Sequence, residues 1–114
     1  AGNRVILIGG ELKGTTEAVV GSQAILAIQG YHFTKGFFGT NGVSKRHGFT
    51  TPDPSEALVK QAAMRQTENC YVLADSQKFG TVSSVTFAPF DGAMILTETE
   101  VPEGFAGSKN VRIV

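Results

Sequence analysis

Asp53-Pro54-Ser55-Glu56-Ala57-Leu58-Val59-Lys60-Gln61-Ala62-Ala63 is the stretch on which the fold turns. Asp53 is a capping residue, and Pro54 suits the first helical turn, where its missing N–H costs nothing. Glu56 stands three positions after the cap, as in a capping box. Leu58, Val59, Ala62 and Ala63 make one apolar stripe, so Lys60, Gln61 and Arg65 are expected to face elsewhere. The helix should end near Glu68. It is flanked by two apolar runs of strand character: residues 32–39, with adjacent Phe37 and Phe38, and Cys70-Tyr71-Val72-Leu73-Ala74, which stops at Asp75. Strand, helix and strand in this order imply parallel pairing beneath a covering helix.

The same alternation continues outward. Val5-Ile6-Leu7-Ile8 is short, β-branched and closed by Gly9-Gly10, as in a buried strand entering a turn. Ser22 can cap a helix through Ile25, Leu26 and Ile28, with Gly30 suited to a left-handed position beyond its end. Lys45-Arg46-His47-Gly48 reads as a basic loop, and residues 76–91 as a looser region broken by Pro89. Ala93-Met94-Ile95-Leu96-Thr97 and Val111-Arg112-Ile113-Val114 read as further strands, separated by a loop. The expected class is α/β with a mostly parallel sheet. No internal repeat or linker divides it.

The chain has 114 residues, 41% of them hydrophobic, enough for the core of one domain spanning residues 1–114. Ten Lys and Arg balance ten Asp and Glu, so the net charge is +0. That argues against autonomous nucleic-acid binding, which rests on clustered cations, and against a polybasic membrane surface. Val5-Ile6-Leu7-Ile8, like every other clean apolar run, is far short of the ~20 residues that span a bilayer. A single cysteine, Cys70, cannot form an internal disulfide, and no targeting segment is evident, so a cytoplasmic setting is expected. The first residue is Ala1 rather than Met, as in a processed or excised chain. Glycine is in excess, 14 of 114 residues, and punctuates the apolar segments.

In a parallel sheet, ligands collect at the C-terminal strand ends, where loops present free N–H groups. Three such ends carry suitable residues: Gly9-Gly10, Gly39-Thr40-Asn41-Gly42 and Asp75-Ser76-Gln77-Lys78. The 39–42 tetrapeptide offers backbone N–H groups, a hydroxyl and an amide, suited to a phosphate or to sugar hydroxyls; an ordinary Asn-Gly turn is the alternative. Asp75 can accept from hydroxyls and Lys78 can face a phosphate; a solvated pair is the alternative. Glu56 and Lys60, at i and i+4, can pair on the helix surface. Gly14-Thr15-Thr16 resembles a phosphate loop but lacks the ending of a P-loop. His32 and His47 lack partners at ligand spacing, so no metal site is expected. Cys70 has no nearby histidine in sequence, Ser22 sits in no nucleophile elbow, and the phenylalanines read as core.

Val5-Ile6-Leu7-Ile8-Gly9-Gly10-Glu11-Leu12, Val20-Gly21, Phe38-Gly39-x-x-Gly42 and Gly48-Phe49-Thr50-Thr51 together resemble the effector-sensing half of DeoR-family transcriptional repressors. Glu56-Ala57-x-x-Lys60 and Leu73-Ala74-Asp75-Ser76-x-Lys78-Phe79-Gly80 continue the resemblance in the family's order, and the last of these is its most specific element. Gly39-Thr40-Asn41-Gly42 and the Thr50-Thr51 run resemble those repressors that sense fructose, lactose or tagatose phosphates in phosphotransferase-system regulation. The resemblance implies a three-layer α/β/α fold related to ribose-5-phosphate isomerase and the CoA transferases. It implies an N-terminal winged helix-turn-helix, absent from this sequence, and an Asp/Ser-Gly-Thr-Thr phosphate loop that this sequence also lacks at the expected place. The chain thus resembles an incomplete sensor domain.

By that resemblance, Gly39, Thr40, Asn41 and Gly42 match the sugar-facing loop, and Asp75 and Lys78 match the acid and lysine at the sugar phosphate. Glu56 and Lys60 fall where the related isomerases begin their acid-bearing helix. The implied role is that of a non-enzymatic sensor, without cofactor or metal, whose partner is a phosphorylated sugar. Operator DNA is reached only through the missing N-terminal domain, and an open sheet edge implies self-association. A sugar-phosphate isomerase or deaminase of the same fold is the alternative, but isomerisation needs a positioned base, and Thr40 and Asn41 stand where the related isomerases carry acids. A structural or assembly domain is the third reading.

Overall fold

The structure is a computed structural model and describes residues 5–8, 22–98 and 100–114. Strand β1 (Val5–Ile8) is followed by helix α1 (Ser22–Gln29) and strand β2 (Phe33–Gly39). A hairpin of β3 (Gly42–Ser44) and β4 (Gly48–Thr51) leads into helix α2 (Pro54–Arg65) and β5 (Thr67–Leu73). Then come β6 (Val85–Ala88), β7 (Met94–Thr97) and β8 (Val111–Ile113).

These strands form two sheets. One is five-stranded, in the order β1-β2-β5-β7-β8, and every pairing in it is parallel. The expected parallel sheet is therefore present, with its strands side by side in chain order. The other is antiparallel, in the order β3-β4-β6, and was not anticipated: residues 49–51 and part of 76–91 read as connections. α1 packs on α2, and α2 in turn lies against both sheets.

Register explains where the core sits. Ile8, Phe38, Val72, Ile95 and Val111 are successive partners across the parallel sheet, and Phe38, Val72 and Ile95 are all but fully buried. Side chains alternate along a strand, so Phe38, Val72 and Ile95 face the helices while the next row, Phe37, Tyr71 and Met94, faces the other way and is only half buried. Phe37 and Tyr71 stack there at 5.2 Å between ring centroids. Val43 and Phe49 carry the same core into the small sheet, with Phe49 stacked near Phe87 and Phe90. Phe38, Phe49, Phe79 and Phe87 are core residues, as expected, with Phe90 and Phe105 packed against them, whereas Phe33 and Phe37 lie outside that cluster.

Several local expectations are corrected. α2 ends at Arg65, and β5 begins at Thr67 rather than Cys70, so the strand takes over the span expected for the last helical turn. Leu58 is 55% exposed and Lys60 is 1% exposed, the reverse of the faces assigned from residue type. Helical geometry gives the sheet side to Ala57, Val59, Lys60 and Ala63, and a long stem lets lysine bury its methylenes there. Asp53 caps α2, its Oδ1 accepting from the Ser55 N–H at 2.9 Å and the Glu56 N–H at 3.4 Å. The return half of the capping box is missing, because the Asp53 N–H donates to Thr51 Oγ1. Gly30 is not left-handed; the chain turns there with Tyr31 N–H donating to the Ile28 carbonyl at 3.0 Å. Among the described residues the left-handed ones are Gly48 and Gly80 instead. At Gly48 a Cβ would also overlap the Ala88 carbonyl oxygen, so glycine is needed where the hairpin meets β6.

Candidate functional site

Because the large sheet is parallel, β2, β5 and β7 all release the chain at one edge, ending at Gly39, Leu73 and Thr97. The 39–42 loop and the 75–78 segment both start there. They are brought together by backbone contacts rather than by their side chains. The Gly80 N–H donates to the Val43 carbonyl at 2.7 Å, and Phe79 forms a parallel bridge with Val43. Gly42 lies so close to the second segment that a Cβ would overlap the Thr81 carbonyl oxygen. This is a close approach that only glycine permits.

The 39–42 loop is tied from behind. Its Thr40 hydroxyl is buried, 2.8 Å from the Gly42 carbonyl oxygen and 3.2 Å from that of Thr50. The Asn41 N–H donates to the Thr50 carbonyl at 3.0 Å, while the Asn41 residue is exposed. Thr50 itself is fully buried, and its Oγ1 accepts from the Ser83 N–H at 2.9 Å. One threonine of β4 therefore anchors both the loop and the stretch that leads into β6. Thr50 carries no candidate role by residue type, and its adjacency to the loop arises only from the β3–β4 hairpin.

The second segment is different in kind. Residues 76–78 form a single 3-10 turn, capped by Asp75, whose Oδ1 accepts from the Gln77 N–H at 3.0 Å. Asp75 is exposed and Lys78 half-buried, and no ion pair joins them among the described residues. Behind them Phe79 is buried, edge-on to Phe105 at 5.0 Å. The polar groups of this segment are thus held on an apolar footing and left facing outward.

Glu56 and Lys60 sit beneath the loop, not on an outer face of α2. The Lys60 Nζ donates to the Gly39 carbonyl at 2.8 Å, lies 4.8 Å from the centre of the Phe87 ring, and is 3.9 Å from Glu56 Oε1. That oxygen is buried and has no hydrogen-bond partner. Burial lowers the Lys60 pKa from its ordinary 10.5, and the Glu56 carboxylate works against that shift. Phe87 was not singled out by any local pattern; a lone aromatic in a four-residue strand announces no role.

Cys70 is half-buried, its Sγ turned to the Met64 and Thr67 carbonyls, and burial raises its pKa, which suppresses the thiolate. His32 and His47 are both exposed. A cleft of about 700 Å³ opens between residues 45–47 and 86–91, but none of the candidate residues lines it. Gly9, Gly10 and the 14–16 stretch lie outside the described residues, as does any contribution they make to this edge. Among the described residues no helix is long and apolar enough to cross a membrane.

Comparison with known proteins gives this edge its context. Residues 1–99 match the family described as the DeoR C terminal sensor domain. The uncharacterized HTH-type transcriptional regulator FruR of Bacillus subtilis (strain 168) is 50% identical over 91 residues, which are 80% of this chain and 36% of FruR. The HTH-type transcriptional regulator IolR of the same strain is 33% identical over 87 residues, 76% of this chain and 35% of IolR. The lactose phosphotransferase system repressor of Staphylococcus aureus (strain NCTC 8325 / PS 47) is 37% identical over 84 residues, 74% of this chain and 33% of the repressor. The matched part is about a third of the length of each of these relatives, all of which are named as transcriptional regulators or repressors and none as an enzyme. A parallel sheet with its polar loops gathered at one edge, and a family match over 99 of 114 residues, lead to one conclusion: this chain belongs to the DeoR C-terminal sensor domains.

Proposed function

We propose that the chain is the effector-binding part of a repressor of sugar-utilisation genes, and that its effector is a phosphorylated sugar bound at the C-terminal edge of the parallel sheet. The observation that carries the reading is the backbone join at that edge between Val43, just after the 39–42 loop, and Phe79 and Gly80, just after the 75–78 segment. Asn41, Asp75 and Lys78 are the groups left free to meet a ligand: an amide, a carboxylate for sugar hydroxyls and an ammonium for phosphate. Gly39, Thr40 and Gly42 shape the loop, and Glu56 and Lys60 back it. The lactose phosphotransferase system repressor among its relatives favours a sugar phosphate over other anions.

The mechanism is linkage. An effector that binds two conformations of the parent protein unequally shifts their populations, and operator affinity falls by the same factor. DNA is held by a winged helix-turn-helix elsewhere in that parent, since this chain carries no net charge with which to hold it. The architecture we infer for the complete sensor is the three-layer α/β/α arrangement related to ribose-5-phosphate isomerase, in a cytoplasmic oligomer. Among the described residues β1 and β8 are the outer strands of the parallel sheet, and an open edge favours association between copies. A clean monomer by light scattering at high concentration would count against that association.

The test is made in the full-length protein. Asp75→Ala and Lys78→Ala should leave operator binding intact and abolish release by inducer. Normal induction in both variants removes the site assignment. Sugar-phosphate turnover by the intact protein that is lost in Glu56→Gln would replace the repressor reading with an isomerase.

A further inference from the structure

The Lys60 side chain is 2% exposed, although the same helix places Leu58 in solvent. An ammonium withdrawn from water is costly unless its environment repays it, so its partners indicate what it is for. They come from three separate elements. Gly39 is the last residue of β2 and the first of the 39–42 loop, and its carbonyl accepts from Nζ at 2.8 Å. Phe87 of β6 presents its ring 4.8 Å away, and Glu56, one helical turn back, supplies the opposite charge at 3.9 Å. The loop is therefore pinned twice: by Lys60 where it leaves the large sheet, and by Thr50 where it enters the small one.

We propose that Lys60 is a positioning residue of the strand-end site. Its ammonium, seated between Phe87 and Glu56, fixes the Gly39 carbonyl and so the direction in which residues 40–42 leave the sheet, and it makes no contact with the effector. This places Lys60 behind the ligand, whereas Asp75 and Lys78 lie in front. That the aimed loop meets a sugar phosphate rests on the function proposed above; the tether itself does not.

Two measurements on the natural full-length protein separate the tether from the ligand. In the unaltered protein, the Lys60 ammonium should give a slowly exchanging ¹⁵N-coupled proton signal, with a scalar coupling to the Gly39 carbonyl carbon. A Lys60 ammonium that exchanges like a solvent-exposed lysine overturns the proposal. In Lys60→Met, the Asn41 amide should exchange with solvent at least about tenfold faster, while the β7 and β8 amides stay within about twofold, because only the loop has lost its anchor. Lys60→Arg, which keeps a donor on a long stem, should recover part of the protection. Equal acceleration everywhere, or none at Asn41, overturns the proposal.

Binding of fructose 1-phosphate, fructose 6-phosphate and tagatose 6-phosphate is then measured by titration calorimetry. Any of these that binds the unaltered protein should bind Lys60→Met at least about tenfold more weakly, with Lys60→Arg between. Unchanged affinity in Lys60→Met overturns the proposal. If none binds the unaltered protein, the sugar-phosphate reading fails, and the exchange data still decide the role of Lys60.

Discussion

The two halves of the candidate site are built on opposite plans. The 39–42 loop is rigid by internal satisfaction: Thr40 is buried, its hydroxyl and the Asn41 N–H are both spent on Thr50 and its own turn, and a buried ammonium holds its first carbonyl. The 75–78 segment closes its own turn through Asp75 Oδ1 and the Lys78 N–H, and leaves the Asp75 residue exposed and Lys78 half-buried. A binding site needs both kinds of element, since a free polar group discriminates ligands only if something fixes its distance from the others. The difference teaches that polar residues grouped at one sheet edge do not share one role.

The contrast can be broken at the point where the halves touch. Gly42→Val drives a side chain into the Thr81 backbone and should cost about 3 kcal/mol, read as a drop in urea midpoint with loss of effector response. A variant of wild-type stability would mean that the two segments separate freely. Glu56→Gln removes the counter-charge of a buried ammonium and should cost about 1–2 kcal/mol at neutral pH, less than for a fully buried pair because Glu56 is partly exposed.

That loss has a pH signature. Lys60 has its folded-state pKa below 10.5, so on raising the pH the folded chain releases the proton before the unfolded chain does. Its unfavourable contribution is fully present below the folded value and is relieved as pH rises from there to 10.5. Without Glu56 the folded value falls further, so the deficit of Glu56→Gln should shrink as pH climbs through this window. Unfolding titrations from neutral to alkaline pH would show a constant deficit if Lys60 were not the group responsible.

Asp53→Ala sharpens the comparison from outside the site. It removes the cap of α2, the helix that carries Glu56 and Lys60, and should cost about 1 kcal/mol. Its effector affinity should fall far less than that of any variant within the loop. Smallest of all are Asp75→Ala, which loses only the cap of a single 3-10 turn and should cost about 0.5 kcal/mol, and Lys78→Ala, which should cost less, both by thermal melting. A large destabilisation by either would erase the distinction between tethered and free halves.

Much of the large sheet was legible because β1 and the C-terminal halves of β2 and β5 are apolar runs closed by glycine or aspartate, and α2 because Asp53 and Pro54 mark its start. The small sheet was not. β3 and β4 have three and four residues, and β3 gains its meaning only from pairing with β4, too short a run for periodicity to register. The positions of the 39–42 and 75–78 segments at one edge followed from the parallel order alone. The role of Lys60 did not, since residue type sends a lysine to the surface and only three converging elements draw it into the interior.

By itself, then, the sequence determined the alternation of strands and helices, the edge where polar residues gather and the family to which they belong, since each follows from short-range pattern. Tertiary structure alone decided which of those polar residues are scaffold and which are free. That outcome depends on desolvation and on hydrogen bonds between segments far apart in sequence, such as Thr50 and Ser83, 33 residues apart, and Val43 and Gly80. No local pattern encodes such distances.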